Sequence, residues 1–217
     1  MTESPCPIPA DLTNLAEAEL VLRLAIALDY RDEDTGGHIR RISLSAERLA
    51  LRLGWPAAQA TELRLAAPLH DIGKIGLPDR LLGKPDTLTA PERDAMQQHT
   101  LIGAGILDHS PQPLVQRARA IALAHHERWD GGGYPHGLHG AAIPAAARVT
   151  ALVDVYDALK SDRLYREALP EEEALRLIAR GAGTQFDPAM TACFLEYIED
   201  FRDIQRAVSP SIFSAFA

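Results

Sequence analysis

The chain has 217 residues, 47% of them hydrophobic, enough for one large domain with a real core. Its formal charge of −8 argues against general nucleic-acid binding, which uses a basic face. It leaves open a small anionic nucleotide, because bound cations would reverse the sign of a site locally. Cys6 and Cys193 imply no disulfide framework, and the N-terminus lacks the basic start and apolar run of a signal peptide. No stretch approaches the ~18 apolar residues of a spanning helix, so the expected location is cytoplasmic.

Residues 1–10 carry three prolines and read as a disordered leader. Residues 11–30 follow a helical pattern that is apolar on nearly all sides from Leu20 to Leu28. Such a helix needs cover, either within the chain or as a connector or dimerisation element between two copies. Residues 31–217 form the main domain. Asp34 or Thr35 is a good N-cap for a helix to about Leu53, with Gly54 as its stop. Pro56 suits the first turn of a helix carrying Leu63, Leu65, Leu69 and His70. The stretch GKIGLPDRLLGKPDTL is broken by glycine and proline and reads as loop with a short turn. Thr89, with Glu92 three residues on, is a capping box opening a helix through His99 to Leu107. Pro113 opens another, ending near Glu127, and WDGGGYPHGLHG is a long glycine-rich loop. Pro144 to Lys160 is helical and includes Asp154 and Asp157. Pro170 starts a helix with three glutamates at its positive end, and Asp187-Pro188 begins the last one. With no trustworthy alternating pattern, the fold class is all-α, a helical bundle.

Within this pattern the run HDIGKIG, from His70, is answered by HHERWDGGGYP, from His125. Imidazole and carboxylate together hold paired divalent ions for phosphate-ester hydrolysis. His38, His70, His99, His125 and Asp154 fall at intervals of roughly thirty residues, about one helix out and one back. Antiparallel helices of that length bring successive side chains to one level of a bundle core. Neighbours on a helix diverge by about 100°, so His70 and Asp71 cannot serve one ion in the same way; a bridging Asp71 fits better. A solvated helix position equally suits His99 alone. Asp154 sits on an apolar helix and requires a partner, a cation or exposure. His109, His136 and His139 lie in polar loops and read as structural or exposed.

The chain resembles the HD-GYP domains, the branch of the HD-domain phosphohydrolases that hydrolyses cyclic di-GMP. The resemblance rests on DTGGHIRRIS from Asp34, HDIGKIGLPD from His70, QQHTLIGAGIL from Gln97, HHERWDGGGYPHGLHGAAIPAAARV from His125, DVYDALKSDRLYR from Asp154 and GTQFDP from Gly183, all in order. It implies a helical bundle with a central metal site. It further implies that His38, His70, Asp71 and Asp154 hold one ion, and that Asp71, His99, His125 and His126 hold a second. Lys74, Tyr134, Arg163 and Arg166 match substrate contacts, with Asp71 and Lys74 the catalytic pair. The metals implied are iron or manganese, with nickel or zinc as alternatives. Some members take a third ion through a glutamate where this chain has Asp34, one methylene shorter and equally suited to capping the helix.

The expected reaction is attack of a metal-bridging hydroxide on phosphorus, giving pGpG, with GMP slower or absent. The alternatives are hydrolysis of another cyclic dinucleotide such as cyclic GMP-AMP, and a catalytically silent module that docks on a GGDEF diguanylate cyclase through its GYP loop. A homodimer through residues 11–30 is the expected assembly.

Overall fold

The computed structural model describes residues 20, 23–27, 37–84, 87–162 and 167–208. The expected leader, the Asp34 and Thr35 helix start, Arg163, Arg166 and most of residues 11–30 lie outside them. The architecture is a bundle of α-helices, with no strand among the described residues beyond the isolated bridges Asp130–His139 and Ala182–Phe186. The helices are α1 (Gly37–Arg52), α2 (Ala57–Ala66), the single turn α3 (Asp79–Leu82), α4 (Ala90–Ile106) and α5 (Pro113–Ala124). They continue with α6 (Ala145–Lys160), α7 (Glu171–Gly181), α8 (Pro188–Glu196) and α9 (Ile198–Ala207).

The core forms because α1 buries Ile39, Ile42, Ala46, Leu49 and Ala50 at helical spacing against α2 and α6. Small residues at the crossings, among them Ala60, Ala66, Ala118 and Ala122, are fully buried and let the axes approach closely. At the far end, Tyr156, Phe194 and Phe201 stack edge to face and tilted, with centroids 5.0 and 4.3 Å apart. Ala25 is buried in the same core, whereas Leu20 and Leu24 are exposed.

The capping box at Thr89 forms, with the Glu92 carboxylate accepting the Thr89 N–H at 2.8 Å. Asp187 caps α8 by accepting the N–H groups of Ala189 and Met190. Gly54 ends the α1 region at a positive φ of 80°.

Three boundaries depart from expectation. The helix expected to carry His70 stops at Ala66 and tightens into a 3-10 turn, Ala67–Leu69, because Pro68 has no N–H to continue the ladder. The helix from Pro113 ends at Ala124, three residues early, leaving His125 at its C-cap. The stretch after Asp187 is two helices rather than one, broken at Tyr197. There the Tyr197 ring lies 4.2 Å beneath the Arg52 guanidinium, and Asp200 pairs with Arg48 and Arg52, so contacts to α1 override the local helical pattern.

Candidate metal centre

Five parts of the bundle deliver side chains to one place. His38 is the second residue of α1, and His70 and Asp71 sit in the turn after α2. His99 is in mid α4, His125 and His126 follow α5, and Asp154 is in mid α6. Gly73 makes the convergence possible. A Cβ there would lie 1.8 Å from the His99 carbonyl oxygen, so only glycine lets the HD turn rest directly on α4.

The donor atoms form two groups, each gathered within 4.8 Å: Asp71, His99, His125 and His126, and separately His38, His70 and Asp154. Asp71 lies between them. Its Oδ1 is 3.3 Å from His99 Nε2 and 3.5 Å from His125 Nε2, while its Oδ2 is 3.4 Å from His70 Nε2. Asp154 Oδ1 is 3.7 Å from His38 Nε2 and 3.8 Å from His70 Nε2. All seven positions read from the sequence therefore meet at one centre. Lys74 places its ammonium 2.8 Å from Asp71 Oδ2. His109, His136 and His139 are exposed, as expected.

Hydrogen bonds fix the ring tautomers. His70 Nδ1 faces the Ala67 carbonyl at 3.0 Å, His99 Nδ1 the Met96 carbonyl at 2.8 Å, and His125 Nδ1 the carbonyls of Ile121 and Ala122 at 3.1 Å. A carbonyl only accepts, so each Nδ1 carries the proton and each Nε2 turns a lone pair inward. His70 Nε2 and Asp71 Oδ1 are buried with no hydrogen-bond partner. Buried acceptors left bare are costly, and a divalent cation satisfies them together. The donor set thus fits paired divalent ions.

Burial pushes His99 down to about 4 and His126 well below the usual imidazole range, so both rings stay neutral and able to coordinate. At His70 burial acts in the same direction, but the Asp71 and Asp154 carboxylates outweigh it and raise the ring. Burial opposes ionisation of Asp71, but neighbouring positive charge, the Lys74 ammonium first, outweighs it and holds the carboxyl well below the usual range.

Tyr134 stacks on His126 with centroids 4.8 Å apart. Burial raises its phenol, which stays protonated and able to donate. A cleft of about 320 Å³ opens beside the centre, lined by Gln97, His126, Arg128, Tyr134, Asp154 and Gln185 among others. Arg128 is neutralised by Asp130 at 2.7 Å.

Two acids escaped the sequence reading. Asp157, buried one turn beyond Asp154, accepts from His38 and Arg41. Its signal was the same one that marked Asp154, a carboxylate on an apolar helix. Glu127 is buried and accepts the backbone N–H groups of His136 and Leu138 at 2.8 and 2.9 Å, closing the glycine-rich loop. Only the loop's closure reveals that role.

Comparison with known proteins agrees with the geometry. Residues 24–190 match the model of the HD domain family. The chain is 43% identical over 188 residues to a cyclic di-GMP phosphodiesterase of Thermotoga maritima, covering 87% of this chain and 51% of that protein. It is 40% identical over 190 residues to 3'3'-cGAMP-specific phosphodiesterase 2 of Vibrio cholerae, covering 88% and 36%. The chain thus spans about half or less of the length of these relatives. A crystal structure of a cyclic GMP-AMP specific phosphodiesterase from V. cholerae shares the fold at TM-score 0.61 and 20% identity, covering 91% of this chain and 54% of that one. The chain belongs to the HD domain family, in its HD-GYP form. That membership implies divalent metal binding. No helix among the described residues is long and apolar enough to cross a membrane.

Proposed function

We propose that the chain is a cyclic dinucleotide phosphodiesterase, with cyclic di-GMP as substrate. The observation that carries this reading is the pair of converging donor groups with Asp71 between them. His38, His70, Asp71 and Asp154 would hold one ion, and Asp71, His99, His125 and His126 the other. Bound divalent ions supply Lewis-acid activation of water and neutralise phosphoryl charge. Iron or manganese suits the mixed imidazole and carboxylate set, with nickel or zinc as substitutes.

The chain's own side chains complete the site. Lys74, beside Asp71, neutralises charge growing on the phosphoryl group. The protonated Tyr134 phenol donates into the cleft from a ring steadied against His126. Gln97 and Gln185 line the cleft, and their amides offer paired donor and acceptor atoms to a base edge. Arg163 and Arg166 are proposed phosphate contacts on sequence grounds. The exposed loop residues Gly132, His136 and Gly137 are the proposed contact for a GGDEF partner. The substrate, a cytoplasmic signal nucleotide, sets the expected location.

The V. cholerae relative named for 3'3'-cGAMP favours a second reading, with that nucleotide as substrate. One experiment separates them. The chain, purified and metal-loaded without oxygen, is assayed side by side on cyclic di-GMP and 3'3'-cGAMP, with metal content measured on the same sample. Preferential cleavage of cyclic di-GMP at two ions per chain is expected. Metal-loaded protein that cleaves neither nucleotide would refute the proposal.

A further inference from the structure

Three of the histidines that face the centre orient themselves locally. His70, His99 and His125 each turn Nδ1 to a carbonyl three or four residues earlier in the chain. His38 Nδ1 meets a side chain, Asp157 Oδ2, at 2.8 Å, across 119 residues of sequence.

Asp157 is built for this contact. It is 2% exposed. Arg41 binds it with Nε to Oδ1 at 2.5 Å and a terminal nitrogen to Oδ2 at 3.0 Å. Gln205, from α9, donates to Oδ1 at 2.7 Å. The arrangement pairs two helices at one-turn spacing. On α1, His38 faces the centre and Arg41 lies one turn behind it. On α6, Asp154 faces the centre and Asp157 lies one turn behind it. The rear pair, with Gln205, holds His38 in place.

We propose that Asp157 is a positioning residue. It holds His38 as the Nδ1–H tautomer, so that Nε2 offers its lone pair to the ion shared with His70 and Asp154. The inference rests on the metal reading above. A carboxylate suits the task because it accepts only. In Asp157→Asn the donor-only Arg41 claims the amide oxygen, and the NH₂ turns toward His38 Nδ1. The ring then carries its proton on Nε2 and loses its lone pair to the centre.

Zinc is the test ion, titrated into the full chain against a competing chelator. The native chain is expected to take two zinc ions. Asp157→Asn is expected to keep one at native affinity and to hold the other roughly 10- to 100-fold more weakly. Two zinc ions at native affinity in the variant would overturn the proposal, as would equal weakening of both. A native chain that takes no zinc overturns the metal reading itself, and that failure is distinguishable because it is not confined to the variant. Should Asp157→Asn fail to fold, long-range proton–nitrogen NMR of the native zinc-loaded chain decides. The His38 ring, assigned by its loss in His38→Gln, is expected with its proton on Nδ1. A proton on Nε2 sinks the proposal.

Discussion

The Nε2 atoms of His99 and His125 face each other across 3.4 Å, while each ring commits its Nδ1 proton to a backbone carbonyl. Two neutral rings in that state point lone pair at lone pair, with Asp71 Oδ1 within 3.5 Å of both. The polypeptide cannot relieve this arrangement by itself without adding a proton. A cation relieves it directly, so metal binding and folding stability are coupled here.

Removing the metals is therefore expected to destabilise the protein. An ion at about 100 times its dissociation constant stabilises by ~2.7 kcal/mol, and two ions add further. Calorimetry before and after chelation measures this. A melting temperature unchanged by complete metal removal would contradict the coupling.

Asp71 and Lys74 are expected to separate binding from chemistry. Asp71→Ala removes the carboxylate that lies between both donor groups, so both ions are lost together with activity. Lys74→Ala keeps both ions and lowers kcat on the order of 10²-fold, the scale of losing one charge-stabilising donor. Metal content and turnover measured on the same preparations check this. Metal loss in the Lys74 variant equal to that in the Asp71 variant would assign Lys74 a structural part instead.

Much of this centre was legible before any coordinates, and the reasons are specific. His70-Asp71 and His125-His126 are adjacent pairs in short motifs, and Asp154 interrupts an apolar helix, so each left a local mark. The capping box at Thr89 was equally local, and it formed. Asp157 carried the same mark as Asp154, but its role and that of Glu127 were hidden because their partners, His38 and the N–H groups of His136 and Leu138, become neighbours only through tertiary packing. The break at Tyr197 was hidden for the same reason. The apolar positions Phe194 and Phe201 keep one helical phase across it, and Arg52 of α1 supplies the competing contact.

The capping carboxylate of α4 gives a pH signature away from the centre. Lys84 and then Thr89 bind Glu92 and lower it to about 2 from the ordinary 4.5. A depressed carboxyl contributes stability above its unfolded value, and that stability is lost as pH falls through the folded one. Glu92→Gln is thus expected to be less stable than native at pH 7. The gap should narrow as pH falls from about 4.5 toward 2. Urea midpoints for both proteins across that range test it, and a pH-independent gap would show that Glu92 acts by packing alone.

Asp34 bears on the product. In the proposed reaction, hydrolysis at paired ions would cut one phosphodiester at a time, giving pGpG first. Holding the linear product for a second cut needs added grip, and Asp34 is shorter than the glutamate that resemblance associates with a third ion. Two tightly held ions and pGpG as the main early product are expected, with GMP slower. Chromatographed time courses of native and Asp34→Ala protein, beside metal counts, check this. Three ions and rapid GMP formation, both lost only in the variant, would assign Asp34 a metal.

Glu127 closes the glycine-rich loop through two backbone N–H groups, and its removal is expected to reach the substrate through Tyr134. His136 and Leu138 donate to separate oxygens of the one carboxylate, so the stretch just after Pro135 is tied to the residue that follows His126. Gly133 packs so closely on this stretch that an added Cβ would lie 2.5 Å from the His126 carbonyl oxygen. Glu127→Ala leaves two donors without partners, at about 1–3 kcal/mol for each that water cannot reach. Glu127→Gln keeps one acceptor and sets an NH₂ against the other N–H, so it is expected to be intermediate. Loosening the loop frees Tyr134 from the His126 ring while leaving the seven inward-facing donors in place. The expected result is a raised KM, near-native metal content and faster proteolysis within residues 131–139, graded from native through Gln to Ala. Loss of metal in Glu127→Gln without any change in loop proteolysis would mean that Glu127 supports the His125 and His126 pair rather than the loop.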